Sequence, residues 1–171
     1  MNLYRSLICL LAISCTACVK TANIPPAKLT LSSFGAAPDY PYTLDFTSSV
    51  DLNHAFNDYE NSNQLPPMLI CSLDPDAEFS IERPINIRAE GRVEASNKTK
   101  PNYSFTSKLV FYYYNPDGSQ RQHNDFESIR PLLAKQESVP CKVRITAYGY
   151  KAYFTNTLFI PSAIIIEQIS K

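Results

Sequence analysis

The sequence predicts an all-β protein, an antiparallel two-sheet β-sandwich with little helix. Apolar and polar residues alternate along most of the chain, which is the period of a half-buried strand. The 13 prolines and 11 tyrosines, beside 2 methionines and no tryptophan, favour strands joined by rigid loops. A length of 171 residues fits one domain, which we expect to span residues 28–171.

Each predicted strand rests on its own pattern. Tyr42 to Val50 sets Tyr42, Leu44 and Phe46 against polar neighbours, and the segments 28–33 and 85–93 alternate in the same way. A further strand is expected over 68–73, after two prolines. The longest candidate runs from Tyr103 to Asn115 and ends in an Asn-Pro-Asp-Gly turn. Further strands are predicted over 141–150, 153–160 and 164–169, a loop or helical turn over 51–63, and a short helix containing Pro131 over 126–135.

This count of seven or eight short strands is typical of a sandwich of immunoglobulin-like or transthyretin-like type. The sequence does not determine the order of the strands.

The N-terminal segment has the pattern of an export signal. Arg5 precedes a short apolar run from Leu7 to Ile13, far shorter than the roughly 20 residues that span a bilayer. The run ends at Ser14-Cys15 and again at Ala17-Cys18. A small residue before cysteine at the end of such a run resembles the lipobox of bacterial lipoproteins.

That resemblance implies cleavage before an acylated cysteine. The residues Ala12-Ile13-Ser14 before Cys15 fit the lipobox pattern and favour Cys15. Cysteine pairing favours Cys18, because cleavage before Cys18 leaves no odd thiol in the mature chain. We expect Cys15, with Cys18 as the alternative, a signal peptide over 1–17 and an extended tether over 18–27. An ordinary cleaved signal without lipid is the other interpretation. Since no acidic residue follows either cysteine, the resemblance implies a lipid anchor in the outer membrane, facing the periplasm.

The two remaining cysteines, Cys71 and Cys141, lie on predicted strands. Because an exported protein meets an oxidising compartment, we expect a disulfide between them. A metal site would need further thiol or imidazole ligands at short spacing, and the sequence offers none. The carboxylates of Asp74, Asp76 and Glu78 lack the glycine turn and distal glutamate of a calcium loop, so we interpret them as a polar loop.

Composition also excludes several function classes. With 16 basic and 16 acidic residues the formal charge is zero, so nucleic acid is not an expected partner. Four glycines leave no phosphate-binding loop, and we expect no cofactor. No nucleophile motif is present, and His123, two residues from Asp125, is more typical of a solvated loop than of a catalytic base. We therefore predict no catalytic residues.

The aromatic run from Phe111 to Tyr114 is the most distinctive local feature. Alternation predicts that one pair, Phe111/Tyr113 or Tyr112/Tyr114, is buried and the other largely accessible. We take Tyr112 and Tyr114, with the basic residues Lys108 and Arg144, as a candidate binding patch for a protein or a sugar.

These observations predict a non-enzymatic lipoprotein that binds a protein or glycan partner in the cell envelope. Its size, anchor and predicted architecture are similar to those of the transthyretin-like lipoprotein of type VI secretion systems, which implies an accessory role. The alternative is an immunity lipoprotein that neutralises a periplasmic toxin, since residues 21–82 carry nine acidic side chains and one basic side chain, which would favour a basic toxin. A hydrolase is the third interpretation.

Overall fold

The computed structural model describes residues 19–35, 42–97, 102–115, 117–123 and 126–170. Within these residues there are nine strands: β1 Leu29–Gly35, β2 Tyr42–Ser48, β3 Met68–Ser72, β4 Ile87–Asn97, β5 Tyr103–Tyr114, β6 Gln120–His123, β7 Ser138–Ile145, β8 Tyr153–Phe154 and β9 Leu158–Pro161. A 3-10 helix covers Leu52–His54, and two α-helices cover Phe126–Leu133 (α1) and Ser162–Ile169 (α2). Among these residues, no helix has the length and apolar character needed to span a bilayer.

The strands form one curled antiparallel sheet. Seven follow the order β1-β2-β5-β4-β3-β7-β8, while β6 pairs with β5 beyond the end of β2, and β9 pairs with β7. Strand β1 also contacts β9 and α2, although β1 and β9 are not paired strands. The two ends of the sheet therefore approach each other, with α2 packed where they meet.

The all-β prediction is confirmed, but two separate sheets are not seen. The reason is the length of β4 and β5, which have 11 and 12 residues. The first half of β5 pairs with β2 and its second half pairs with β6, while β4 pairs along both halves. The two long strands therefore join the part of the sheet that contains β1 and β2 to the part that contains β3, β6 and β7. Because the hydrogen bonding is continuous across them, the single sheet encloses its core by curling.

The core lies on the concave face, and the predicted alternation decides which side chains fill it. Inward residues of β2, β5 and β7 are buried at every second position, and Phe46, Phe105 and Ile145 are among the largest fully buried side chains. Cys71 on β3 and Cys141 on β7 are direct register partners on this face and form a disulfide. The bond joins residues 70 positions apart in the chain.

One glycine sets the contact between the two long strands. A Cβ atom on Gly91 of β4 would lie 2.1 Å from the carbonyl oxygen of Lys108 on β5. Real Cβ atoms do not approach so closely, so no other residue fits here without movement of the backbone. Gly91 therefore permits the close approach of β4 and β5.

The last predicted strand is wrong, because residues 164–169 lie within helix α2. A short apolar run does not distinguish a buried strand from a buried helix. The helix follows β9 directly and packs against α1, β1 and β7, and Ile165 is its buried apolar residue. Its packing partners therefore override the strand preference of three consecutive isoleucines.

The expected signal peptide, with Cys15 and Cys18, lies outside the described residues. Of the expected tether, residues 19–27 are described, and they run along the domain. The phenol of Tyr153 accepts a hydrogen bond from the Ala27 amide (2.6 Å) and donates one to the Pro25 carbonyl (2.9 Å). Ala27 is fully buried and its carbonyl accepts from the Asn156 amide. This part of the chain is thus packed against the sheet.

Candidate functional site

The four residues of the candidate patch lie on the convex face of the sheet. Lys108, Tyr112 and Tyr114 alternate with the buried residues of β5, and Arg144 alternates with those of β7. Strands β4 and β3 lie between these two strands. The four residues therefore share one face of the sheet but do not lie on adjacent strands.

A row of basic residues crosses this face. Met68 on β3 is the register partner of both Arg92 on β4 and Arg144 on β7. Arg92 and Lys108 line one shallow cleft of about 340 Å³. We call Lys108, Arg92 and Arg144 the basic row. With strands roughly 4.8 Å apart, it extends over about 14 Å of surface.

The tyrosines are held in place by Arg88, the register partner of Tyr112. Its Nε donates to Glu90 Oε2 (2.6 Å), its Nη1 to the Ile85 carbonyl (2.9 Å) and its Nη2 to the Tyr114 hydroxyl (2.9 Å). The guanidinium carbon lies 4.5 Å from the centre of the Tyr114 ring and 6.0 Å from that of Tyr112. These are cation–π distances, so both rings have a fixed cationic neighbour.

Arg88 remains a cation although it is only 8% exposed. Burial acts to lower its pKa, but the hydrogen bonds to Glu90 and Tyr114 and their charges outweigh burial, and the pKa lies above its ordinary value. A buried charge is tolerated when it is paired and hydrogen-bonded, as this one is. The result is a positive group held permanently against two tyrosine rings.

The exposure of the aromatic residues 111–114 differs from the prediction. Phe111 is buried, but Tyr112, Tyr113 and Tyr114 are all half-buried. The prediction of one largely accessible pair is therefore wrong. The reason is tertiary, because Arg88 covers part of the outward pair.

The loop between β3 and β4 forms a wall beside the tyrosines. Its Ile85 is buried, and its Phe79 ring lies 5.5 Å from the Lys142 ammonium group. Between this loop and the sheet is a cleft of about 250 Å³, lined among others by Arg88, Tyr114 and Arg144. The cleft combines aromatic rings with the guanidinium group of Arg144, which suits a planar or carboxylate-bearing group of a partner. The Arg88 guanidinium is already paired with Glu90, which lines the same cleft.

A larger cleft of about 780 Å³ opens at the end of the sheet beside this one. Leu73, Ile87, Tyr113 and Leu132 contribute apolar lining, and Tyr114 lines both clefts. The sequence does not indicate this cleft, because the walls of the cleft come from three distant segments: the β3–β4 loop, the β5–β6 turn and α1. No local pattern reports that these segments meet.

Of the two histidines considered for chemistry, only His54 has a described side chain. The side chain of His123, and Asp125, lie outside the described part. His54 Nδ1 lies 3.1 Å from Asp51 Oδ2, and Asp51 also caps the 3-10 helix by accepting from the Asn53 amide. No group of three His, Cys, Asp or Glu side chains that would suit a metal ion occurs in the described part of the chain.

The acidic loop residues have structural partners. Asp74 accepts from the Asp76 amide (3.2 Å), and Glu78 lies 3.6 Å from Arg83 in an exposed ion pair. These contacts agree with the interpretation as a polar loop.

Arg88 and Arg92 are the functional candidates that the sequence analysis missed. A signal was present, since Arg88 and Glu90 alternate with the apolar residues Ile87 and Ala89. The pattern places them on the convex face but does not show that Arg88 reaches Tyr114, 26 residues away.

The chain matches no protein-family model, no curated protein and no solved structure.

Proposed function

We propose that this protein is a non-enzymatic lipoprotein, anchored in the outer membrane and facing the periplasm, that binds a protein or glycan partner in the cell envelope. The convex face, with Tyr112 and Tyr114 fixed by Arg88 beside the basic row, is the observation that carries this proposal. The lipobox-like N-terminal segment supports the anchor.

The physical support for binding is that the surface is already ordered. Tyrosine and arginine are enriched among the residues that contribute most to protein interfaces. Binding normally costs about 0.5–1.5 kcal/mol for each long side chain that becomes immobilised. Because Arg88 is held by three hydrogen bonds and contacts both rings, much of that cost is met during folding. The basic row adds attraction for an acidic partner, reduced by Glu90 and Glu94, which line the same cleft as Arg92 and Lys108.

The anchor is tested by metabolic labelling. Full-length protein grown with a palmitate analogue should carry the label and fractionate with membranes. Each acyl chain contributes about 0.8 kcal/mol per buried methylene, so several chains hold the protein firmly. A Cys15→Ser/Cys18→Ser double variant should lose both label and membrane association. Unlabelled wild-type protein, or a mature N-terminus elsewhere, refutes the anchor.

Binding is tested by capturing partners from envelope extracts with single variants of the protein. Tyr112→Ala and Arg92→Glu should each reduce capture at least several-fold, and Arg92→Lys should retain most of it. Phe159→Ala is the control, because Phe159 is exposed on β9 beside Pro140, at the other end of β7 from Arg144 and about 13 Å along the strand from it. Melting temperatures should show that all variants are folded.

Equal capture by all variants overturns the proposed surface. The identity of the captured partner separates the two roles: a subunit of a secretion assembly supports an accessory role, and a toxin supports an immunity role.

A further inference from the structure

The start of the described chain is fixed to one turn of the domain. The Lys20 amide donates to the Gly149 carbonyl (2.9 Å), and the Lys20 carbonyl accepts from the Lys151 amide (2.8 Å). The Lys20 ammonium group lies 5.9 Å from the centre of the Tyr150 ring. Val19 and Lys20 therefore leave the domain from a defined place, the turn between β7 and β8.

Exposed apolar side chains surround this place. The described residues include five large hydrophobic side chains that are more than half exposed: Val19, Leu65, Ile81, Tyr148 and Phe159. The first four lie next to residues 146–152 or within them.

Two hydrogen bonds and one shared cleft establish this arrangement. The Leu65 amide donates to the Thr146 carbonyl (2.9 Å), and the Tyr148 amide donates to the Asn63 carbonyl (3.3 Å). Val19 and Ile81 line one cleft of about 520 Å³ together with residues 150–152. Only Phe159 lies elsewhere, opposite Pro140 on β7. Thr146 follows Pro140 by six positions, which places Phe159 about 20 Å away along the strand.

This end of the molecule is also the end nearest to the proposed anchor. Cys18 precedes Val19 directly, so their Cα atoms are about 3.8 Å apart. Cys15 lies four residues before Val19 and at most about 14 Å from it. An acyl chain on either cysteine would hold the turn within that distance of the lipid headgroups.

We propose that this end of the domain, formed by Val19, Leu65, Ile81 and Tyr148, rests on the phospholipid bilayer. The inference depends on the proposed lipid anchor and adds to it a fixed orientation. Tyrosine suits the boundary between headgroups and acyl chains because its ring is apolar and its hydroxyl polar. Lys20 and Lys151 would lie at headgroup level, where cations favour anionic lipids. Glu82 lines the same cleft, so apolar contact contributes more than net charge.

The orientation has a consequence for the partner. The membrane-facing cleft shares Phe79, Ile81 and Phe154 with the cleft beside Arg88 and Tyr114. The convex face therefore adjoins the bilayer, and a bound partner would be held close to the membrane surface.

Single tryptophans provide the test, since the natural chain contains none. Acylated full-length Ile81→Trp, Tyr148→Trp and Phe159→Trp proteins are reconstituted into vesicles of phosphatidylethanolamine and phosphatidylglycerol that carry bromine on the acyl chains near the headgroups. Bromine quenches tryptophan only at short range. We expect quenching of at least twofold at positions 81 and 148, and none at position 159.

The outcomes separate the two proposals. Protein that floats with the vesicles but shows no quenching at 81 and 148, or equal quenching at all three positions, overturns the orientation and leaves the anchor intact. Protein that does not float refutes the anchor and the orientation with it. Quenching at 81 and 148 that persists in the Cys15→Ser/Cys18→Ser background supports this surface but shows that it binds without the lipid.

Discussion

The contact between the N-terminal segment and the domain depends on one hydroxyl group, and its removal is a sharp test of the structure. Tyr153→Phe keeps the ring but deletes the oxygen that accepts from Ala27 and donates to Pro25. The Ala27 amide, on a fully buried residue, then loses its acceptor.

The size of the effect follows from these two bonds. A buried donor without a partner costs about 1–3 kcal/mol, and we expect a loss of about 2 kcal/mol in the free energy of unfolding. For a domain of this length, that corresponds to a melting temperature about 4–8 °C lower. Thermal melts of purified protein measure the change, and Tyr148→Phe is the control because Tyr148 is 80% exposed.

Hydrogen exchange locates the same effect. The Ala27 amide should exchange faster in Tyr153→Phe than in the natural protein, while amides in β5 should change little. A variant that melts with the natural protein and protects Ala27 equally would show that residues 19–27 are not held by this hydroxyl.

The same residue predicts a pH dependence. Burial raises the pKa of Tyr153, partly offset by the hydrogen bond from the Ala27 amide. A group whose pKa is higher in the folded state stabilises that state below its unfolded pKa, which is about 10 for tyrosine. This stability is lost as the pH rises through the folded value. Burial also raises the pKa of Tyr42. The difference in stability between the natural protein and Tyr153→Phe should therefore shrink above about pH 10, and a constant difference would contradict the assignment.

Three further changes test the core and the convex face. Cys71→Ala should destabilise the protein by up to about 4 kcal/mol, because the disulfide closes a loop of about 70 residues, and denaturant unfolding measures the loss; unchanged stability would show that the bond does not form. Gly91→Ala should cost about 1–3 kcal/mol or more in the same assay, because its Cβ would meet a backbone oxygen, whereas Gly35→Ala has open space and should cost little; equal effects would refute the close approach of β4 and β5. Arg88→Ala should cost about 3 kcal/mol because it leaves a partly buried carboxylate without its partner, and Arg92→Ala, exposed on the same strand, should change stability by less than about 0.5 kcal/mol; the reverse order would contradict the network.

Much of the strand content was predictable because it rests on a local property. In a strand every second side chain faces the same way, so the alternation in Tyr42–Ser48 or Tyr103–Tyr114 already separates core residues from surface residues. That period placed Lys108, Tyr112 and Tyr114 on one face before any strand order was known. The alternation does not reveal the strand order, and for this reason the length of the row from Lys108 to Arg144 was not predictable.

What the sequence determined by itself is therefore the β character of the chain, the inward set of apolar residues and the resemblance of its first residues to an export signal. The tertiary structure decided the rest: one continuous curled sheet, a helix over 162–169, the packing of residues 19–27 and the cover that Arg88 forms over two tyrosines. Each of these depends on contacts between residues far apart in the chain, such as Arg88 with Tyr114 or Ala27 with Tyr153. Hydrophobic periodicity is a property of neighbours, whereas these contacts exist only once the strands have paired in register.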